Sequence, residues 1–385
     1  MKISPVTKRA FVTAILFTVW LRLSTFLIGW ILLSLVSPIP YFVSGMDFVE
    51  RIPEKSSPLY IIMQPLMRFD ALWYKNIAIF LYQDSPQSAA FFPLYPLVLR
   101  VFLLTGFTFE QGAFVLNTFL VFLVFFLLYL FAKEEKGERT SLPLVTMYAF
   151  FPTSFFLLAP YAESLLLVLL IGLFLLLRKK KYFWASFVAA LAASTKPFAI
   201  VVFLPLLYTY YKSSVNLRNF LPRFISLFLI PLAYIFSTFF QDSMTGVPFS
   251  SIKAQNFWGI KYTLPWDLIT AEWNYLFSLG YTLPNHVNLF LATSGGILVV
   301  LSKRLLRTDI WILSLLLYLV FTVTSTKYSM VPFFSFSRYA LILFPLFLSV
   351  VSFRIQPTYK IMYLGASVLF FSLYFALFVV GLFIA

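Results

Sequence analysis

The residues of this chain that can do chemistry sit in short islands between long apolar runs. The first is Met67-Arg68-Phe69-Asp70-Ala71-Leu72-Trp73-Tyr74, with a carboxylate beside a cation and an indole. Next comes Ala90-Phe91-Phe92-Pro93-Leu94-Tyr95-Pro96-Leu97, where two prolines three apart interrupt a helix. A third runs through Phe151-Pro152-Thr153-Ser154 and Ala159-Pro160-Tyr161-Ala162-Glu163-Ser164, which puts Glu163 just past a helix break. Ser194-Thr195-Lys196-Pro197-Phe198 places a cation between apolar runs. Ser243-Met244-Thr245-Gly246-Val247-Pro248 precedes Lys253-Ala254-Gln255-Asn256-Phe257-Trp258, and Phe336-Ser337-Arg338-Tyr339 opens a late apolar run containing Phe344-Pro345. Each island also reads without chemistry: Asp70 as a solvated acid, Glu163 as a helix N-terminal acid, Lys196 as a cation reaching for the interface. Likewise Gln255 and Trp258 follow an ordinary turn, and Arg338 flanks a span.

The elements that must position these residues are membrane helices. Of 385 residues 61% are hydrophobic and 11% charged, too little charge to cover a soluble surface. Uncharged runs such as Ala113 to Ala132 reach bilayer length, and a backbone inside lipid must satisfy its own hydrogen bonds, which makes them helices. Expected spans are 11–37, 113–132, 142–160, 161–177, 182–195, 197–211, 222–241, 287–302, 308–325, 338–353 and 359–385. The segment 92–107, short and carrying Arg100, is expected to be re-entrant or interfacial. With no cysteine and a single histidine, His286, thiolate chemistry and His/Cys metal sites are excluded. Carboxylate-held Mg²⁺ or Mn²⁺ is compatible with the composition, and no cofactor is indicated.

The net charge of +15 would suggest nucleic acid in a soluble protein. Here it is a topology signal instead. Lys2, Lys8 and Arg9, with the loops at 133–139, 178–181, 212–223, 303–307 and 354–360, hold 18 of the 29 Lys and Arg. If 92–107 does not cross, every one of these loops lies on the cytoplasmic side. The N-terminus is then cytoplasmic, the first span Phe11 to Val36 is retained, and two long loops, 38–91 and 242–286, face outward. They hold four of the eight tryptophans: Trp73, Trp258, Trp266 and Trp273. From Gln64 to Tyr82 apolar residues recur at helical spacing, which predicts an amphipathic helix lying in the interface with Trp73 and Tyr74 at headgroup level. No separate soluble domain is visible, so residues 1–385 read as one transmembrane domain.

A sugar transfer from a lipid phosphate needs the set gathered on that outer face. A carboxylate takes the acceptor's proton, cations neutralise the departing phosphate, and aromatic faces stack on the sugar. At these islands the chain resembles the PIG-V-like mannosyltransferases, the family of the second GPI mannosyltransferase and its prokaryotic relatives. The likeness rests on Arg68-Phe69-Asp70-Ala71 with Trp73-Tyr74, and on Ala90-Phe91-Phe92-Pro93-Leu94-Tyr95-Pro96. Pro152-Thr153, Tyr161-Ala162-Glu163-Ser164, Thr245-Gly246-Val247-Pro248 with Gln255 and Trp258, and Arg338-Tyr339 with Phe344-Pro345 continue it. The family usually has tryptophan at the Phe69 position, threonine at Ala162 and arginine where Lys196 stands.

The resemblance implies an all-α integral membrane protein of the GT-C type. It implies a helical bundle of about 11–12 transmembrane helices in the cell membrane, or in the endoplasmic reticulum membrane of a eukaryote, with an extracytoplasmic site. The implied activity is inverting mannosyl or hexosyl transfer from a polyprenyl-phosphate-linked donor to a glycolipid, glycan or protein acceptor. Asp70 and Glu163 are the expected catalytic acids, Lys196 and Arg338 the donor-phosphate ligands. Arg68, Trp73, Tyr161, Gln255, Trp258 and Tyr339 are the expected substrate contacts. Besides these substrates and membrane lipid no partner is expected, and no nucleic acid. The rival reading, a lipid-carrier flippase or secondary transporter, predicts charges near mid-span, where Arg22 is the main example.

Overall fold

The computed structural model describes residues 4–37, 59–258, 260–263, 283–326, 335–353 and 356–382, with a few isolated positions between 264 and 282 and at 333. Most of the expected loop 38–91 up to residue 58, and much of 259–282 in the second loop, lie outside the described residues. What is described is all-α and of membrane type. Five helices are long and apolar enough to cross a membrane: Pro5–Leu35, Phe109–Lys136, Leu217–Thr245, Leu283–Ser302 and Pro357–Val380. A single short antiparallel pair is described besides the helices, Ile260–Tyr262 on Thr324–Thr326, with Ile260 opposite Thr326.

The ends of these helices follow from local chemistry. Ser4 caps the first helix by accepting from the Thr7 amide at 3.1 Å, and Pro5 stands where its missing N–H costs nothing. Thr108 and Gln111 form a reciprocal capping box ahead of Phe109–Lys136, which ends on Lys133 and Lys136 at the negative pole of its dipole. Glu163–Arg178 carries an acid on its first residue and a base on its last.

Several expected spans are shorter or broken. The span predicted over 142–160 is instead the helix Ser141–Ala149, followed by a 3-10 turn Ser154–Leu157. Pro152 cannot donate to a helix and disfavours helical geometry in the residue before it, so the helix ends at Ala149. The interfacial helix over Gln64–Tyr82 is corrected too. Gln64–Leu66 forms a 3-10 turn, and the α-helix runs only from Asp70 to Phe80. Trp73 and Tyr74 are each 1% exposed, packed inside the protein and not on an apolar face turned to lipid. The segment expected not to cross contains the helix Leu94–Leu104, 11 residues long. It rises about 16 Å, roughly half of a hydrocarbon core of about 30 Å.

Contacts divide the chain into two compact units. The first comprises 1–84, 93–175 and 354–384; the second 85–92 and 176–353. In the first unit the helix Pro5–Leu35 buries a stripe of mainly small residues, Ala10, Ala14, Thr18, Leu21, Thr25 and Gly29, and packs on Phe109–Lys136 and Pro357–Val380. Small residues let membrane helices approach closely, since lipid gives no hydrophobic drive to pair them. At Gly29 the approach is tightest: a Cβ there would stand 2.6 Å from Cγ of Pro65. Arg22, the mid-span cation, is used within this packing. Its guanidinium donates to Thr118 Oγ1 and the Phe114 carbonyl, each at 3.0 Å, and lies over the Phe114 ring. An aromatic cluster of Phe155, Phe371, Phe375 and Phe378 fills the core beside it.

In the second unit Ala185, Ala189, Ala192 and Ala193 are buried on Tyr182–Thr195, whose main partner is the helix Leu229–Thr245. A buried ion pair joins Arg178 to Asp309 at 3.0 Å, with Thr209 donating to the same carboxylate oxygen at 3.3 Å.

Candidate functional site

The ten expected site residues fall into two sets, Arg68, Asp70, Trp73, Tyr161 and Glu163 in the first unit and Lys196, Gln255, Trp258, Arg338 and Tyr339 in the second.

In the first set Asp70 opens the Asp70–Phe80 helix, where a carboxylate meets the positive pole of the dipole. From Met63 to Tyr74 it is the sole residue that is not buried, so its carboxylate has access that its neighbours lack. Phe69 before it has φ 48° and ψ −114° and is 3% exposed. A bulky residue at positive φ costs on the order of 1–3 kcal/mol and persists only where the surroundings over-determine it. The ring of Phe69 is held against Phe378 at 5.6 Å, and Phe378 also contacts Tyr161 at 6.3 Å. The decisive contact is polar: the Tyr161 hydroxyl donates to the Arg68 carbonyl at 3.1 Å. Residues 93 apart in sequence thus join the Asp70 island to the Tyr161–Glu163 island. Glu163 itself is fully buried at the start of its helix, within electrostatic reach of Tyr95 and Tyr148. Arg68, Trp73 and Tyr161 are 3%, 1% and 1% exposed. They are walls and struts here, not open platforms.

Further struts were not picked out in the sequence. Arg100 donates to the carbonyls of Ala78 and Ile79, both at 2.8 Å, capping the last turn of the Asp70 helix. Lys75, on the same helix, pairs with Glu110 at 2.6 Å. Asn117, fully buried, accepts from the Tyr95 hydroxyl at 2.9 Å and donates to the carbonyls of Leu158 and Ala159. Its signal was present in the sequence: a lone amide inside the uncharged run Ala113–Ala132. Polar side chains at such depth bond across helices.

No family model matches the chain, and no curated protein does. The likeness to the PIG-V-like family therefore stands on the motifs quoted above.

In the second set Lys196 follows the helix Tyr182–Thr195 and is 9% exposed; Arg338 is 6% exposed. One aromatic cluster joins the segments that carry them. Phe198, two residues past Lys196, meets Phe321 at 5.0 Å and Tyr339 at 6.1 Å, while Tyr339 stacks on Phe321 at 4.7 Å. The Arg338 guanidinium lies 5.2 Å from the Tyr339 ring centre. The turn carrying Arg338, Phe336–Tyr339, opens on Ser335 at φ 64° and is pinned by buried Asn288, which accepts from the Ser337 amide at 2.8 Å. The two cations are of complementary kind, one a point charge and one a planar fork.

Gln255 and Trp258 lie elsewhere in the same unit, against the segment 85–92. Gln255 donates to the Ala90 carbonyl at 3.4 Å, and Trp258 Nε1 to the Gln87 carbonyl at 3.3 Å, its ring meeting Phe91 at 6.2 Å. Gln241, also overlooked in the sequence, holds the same segment through the carbonyls of Ala89 and Phe91 at 3.0 and 2.9 Å. The intervening turn is ordered by Asp242, which accepts from the amides of Phe249 and Ser250, each at 2.8 Å. Among the described residues no three histidine, aspartate or glutamate side chains cluster as a metal site would require.

Proposed function

We propose that this protein is an inverting glycosyltransferase of the GT-C kind, moving mannose or another hexose from a polyprenyl-phosphate donor to a glycolipid, glycan or protein acceptor. The reading takes the protein as a multi-pass membrane enzyme, its N-terminus cytoplasmic, its chemistry extracytoplasmic. One observation carries it. A partly exposed acid, Asp70, sits at a helix start behind a strained Phe69, in a segment hydrogen-bonded to the Tyr161–Glu163 segment. Strain and preorganisation of this sort mark places where a side chain is held for a task.

On this reading the Asp70 carboxylate accepts the proton of the acceptor hydroxyl as its oxygen attacks the anomeric carbon. The bond from that carbon to the phosphate oxygen breaks, and the polyprenyl phosphate leaves with the electron pair. Lys196 and Arg338 take the donor phosphate and balance the charge developing on it. Glu163 serves as second acid or acceptor ligand. Arg68, Trp73, Tyr161, Gln255, Trp258 and Tyr339 shape the sugar and headgroup pockets.

The test is sugar transfer from polyprenyl-phosphate-mannose by purified protein, comparing wild type with Asp70→Asn. Loss of about 10²–10⁴-fold in kcat with normal folding is expected for removal of a general base. Unchanged transfer would remove Asp70 from that role. Wild-type protein that transfers no sugar but moves the lipid carrier across vesicles would favour the transporter reading.

A further inference from the structure

Between the helices Ser141–Ala149 and Glu163–Arg178 the chain has only a short 3-10 turn. Local turns satisfy the carbonyls of Phe151, Thr153 and Phe155, and others take side-chain partners. Ser154 and Ser164 supply two, donating to the carbonyls of Ala149 and Leu157, each at 2.8 Å. The carbonyls of Leu158 and Ala159, directly ahead of Pro160, receive the side-chain amide of Asn117. The same side chain accepts the Tyr95 hydroxyl, so one residue bonds three backbone or side-chain groups from two islands. Tyr95 in turn meets Tyr74 edge to face at 5.0 Å, and Tyr74 lies one helical turn past Asp70. From Ala159 the chain reaches Tyr161 within two residues, and Tyr161 returns to the Arg68 carbonyl. A loop of contacts therefore closes around Asn117: through Tyr95 and Tyr74 to the Asp70 helix, and through Ala159 and Tyr161 to the residue that precedes Phe69.

We propose that Asn117 is a positioning residue for the transfer reaction, holding the start of the Asp70 helix and the start of the Glu163 helix in one arrangement. The inference rests on the transferase reading. Asn117 touches neither acid in the bonds above; it acts through Tyr95 and the 158–161 backbone. An amide suits the position because it donates twice and accepts at one end, and neither aspartate nor leucine reproduces that pattern.

The experiment uses full-length protein in nanodiscs, with Asn117→Leu, which keeps the volume and removes every bond, and Tyr95→Phe, which deletes a single hydroxyl. Two readouts are taken: kcat and KM with polyprenyl-phosphate-mannose, and amide exchange by mass spectrometry. Asn117→Leu should lower kcat about 100-fold, the scale of misplacing a reacting group by an ångström, and leave KM for the donor within about twofold. Tyr95→Phe should lower it about tenfold, the loss of one buried bond. Exchange should rise over 92–97 and 158–163 while 5–35 stays protected. If Asn117→Leu does not fold, Tyr95→Phe carries the test alone. Exchange unchanged in the variants overturns the proposal, as does faster exchange with kcat intact, or a change confined to KM. Asp70→Asn separates the two readings, since it should lower kcat about 10²–10⁴-fold without faster exchange. A wild-type protein inactive with the lipid donor sinks the transferase reading and the positioning role with it, even where exchange responds.

Discussion

Deleting one oxygen tests whether the Tyr161–Arg68 contact organises the first unit. Tyr161→Phe keeps the ring packed on Phe156 and Phe378 and removes one of the two donors to the Arg68 carbonyl, which keeps the Ala71 amide at 3.1 Å. A buried acceptor stripped of its partner costs about 1–3 kcal/mol, whereas the net worth of the bond is nearer 1 kcal/mol. The smaller figure applies, since the Arg68 carbonyl keeps the Ala71 amide as a donor. We expect a loss of about 1 kcal/mol in mixed-micelle unfolding, with kcat for transfer down about tenfold because the bonded carbonyl lies two residues from Asp70. The same unit supplies a matched control. Tyr374 is fully buried, and its hydroxyl has no hydrogen-bond partner among the described residues. Tyr374→Phe removes the same atom but relieves an unsatisfied group, so stability should hold or rise by up to about 1 kcal/mol. If Tyr161→Phe is no more damaging than Tyr374→Phe, the contact is incidental and the joining of the two islands loses its support.

Two further predictions concern packing. A Cβ on Gly29 would meet the rigid Pro65 ring at 2.6 Å, whereas one on Gly172, inside Glu163–Arg178, would meet nothing within 4 Å. Gly29→Ala should therefore destabilise by about 1–3 kcal/mol despite alanine's helix preference, and Gly172→Ala should stabilise by about 0.5–1 kcal/mol; equal responses in thermal unfolding would refute the close approach. At the Arg178–Asp309 pair, whose side chains are 8% and 3% exposed, Asp309→Leu alone should cost about 3–5 kcal/mol by taking the carboxylate away from a buried cation. The double change Arg178→Met with Asp309→Leu should recover most of that loss, and a double variant no better than the single would show that the two charges are not coupled.

How much of this was legible in the sequence depends on what kind of interaction decides each feature. Helix positions were legible because length, apolarity and caps such as Thr108 with Gln111 act within a few residues. The break after Ala149 was only half legible. Pro152 announces it, but the irregular stretch there is held in part by Asn117, far away in sequence, which donates to the buried carbonyls of Leu158 and Ala159. The Asp70 helix misled for a different reason. Apolar spacing from Leu66 to Leu81 marks a face that leaves water, yet in a membrane protein that face meets protein or lipid equally well, so periodicity alone cannot separate an interfacial helix from a packed one. Most telling are the residues that violate local preference. Phe69, Phe249 and Ser335 adopt φ of 48°, 56° and 64° with no glycine to signal it, and each immediately precedes the helix that carries Asp70, Gln255 or Arg338. Natural chains break local rules at a cost, and that cost is borne where a side chain must be presented in one orientation. A positive φ by itself singles out no site, since Leu81, Tyr82 and Lys180 adopt it at φ 52°, 70° and 55° where no candidate helix begins; what the three entries share is a fixed approach to a helix that carries a candidate side chain.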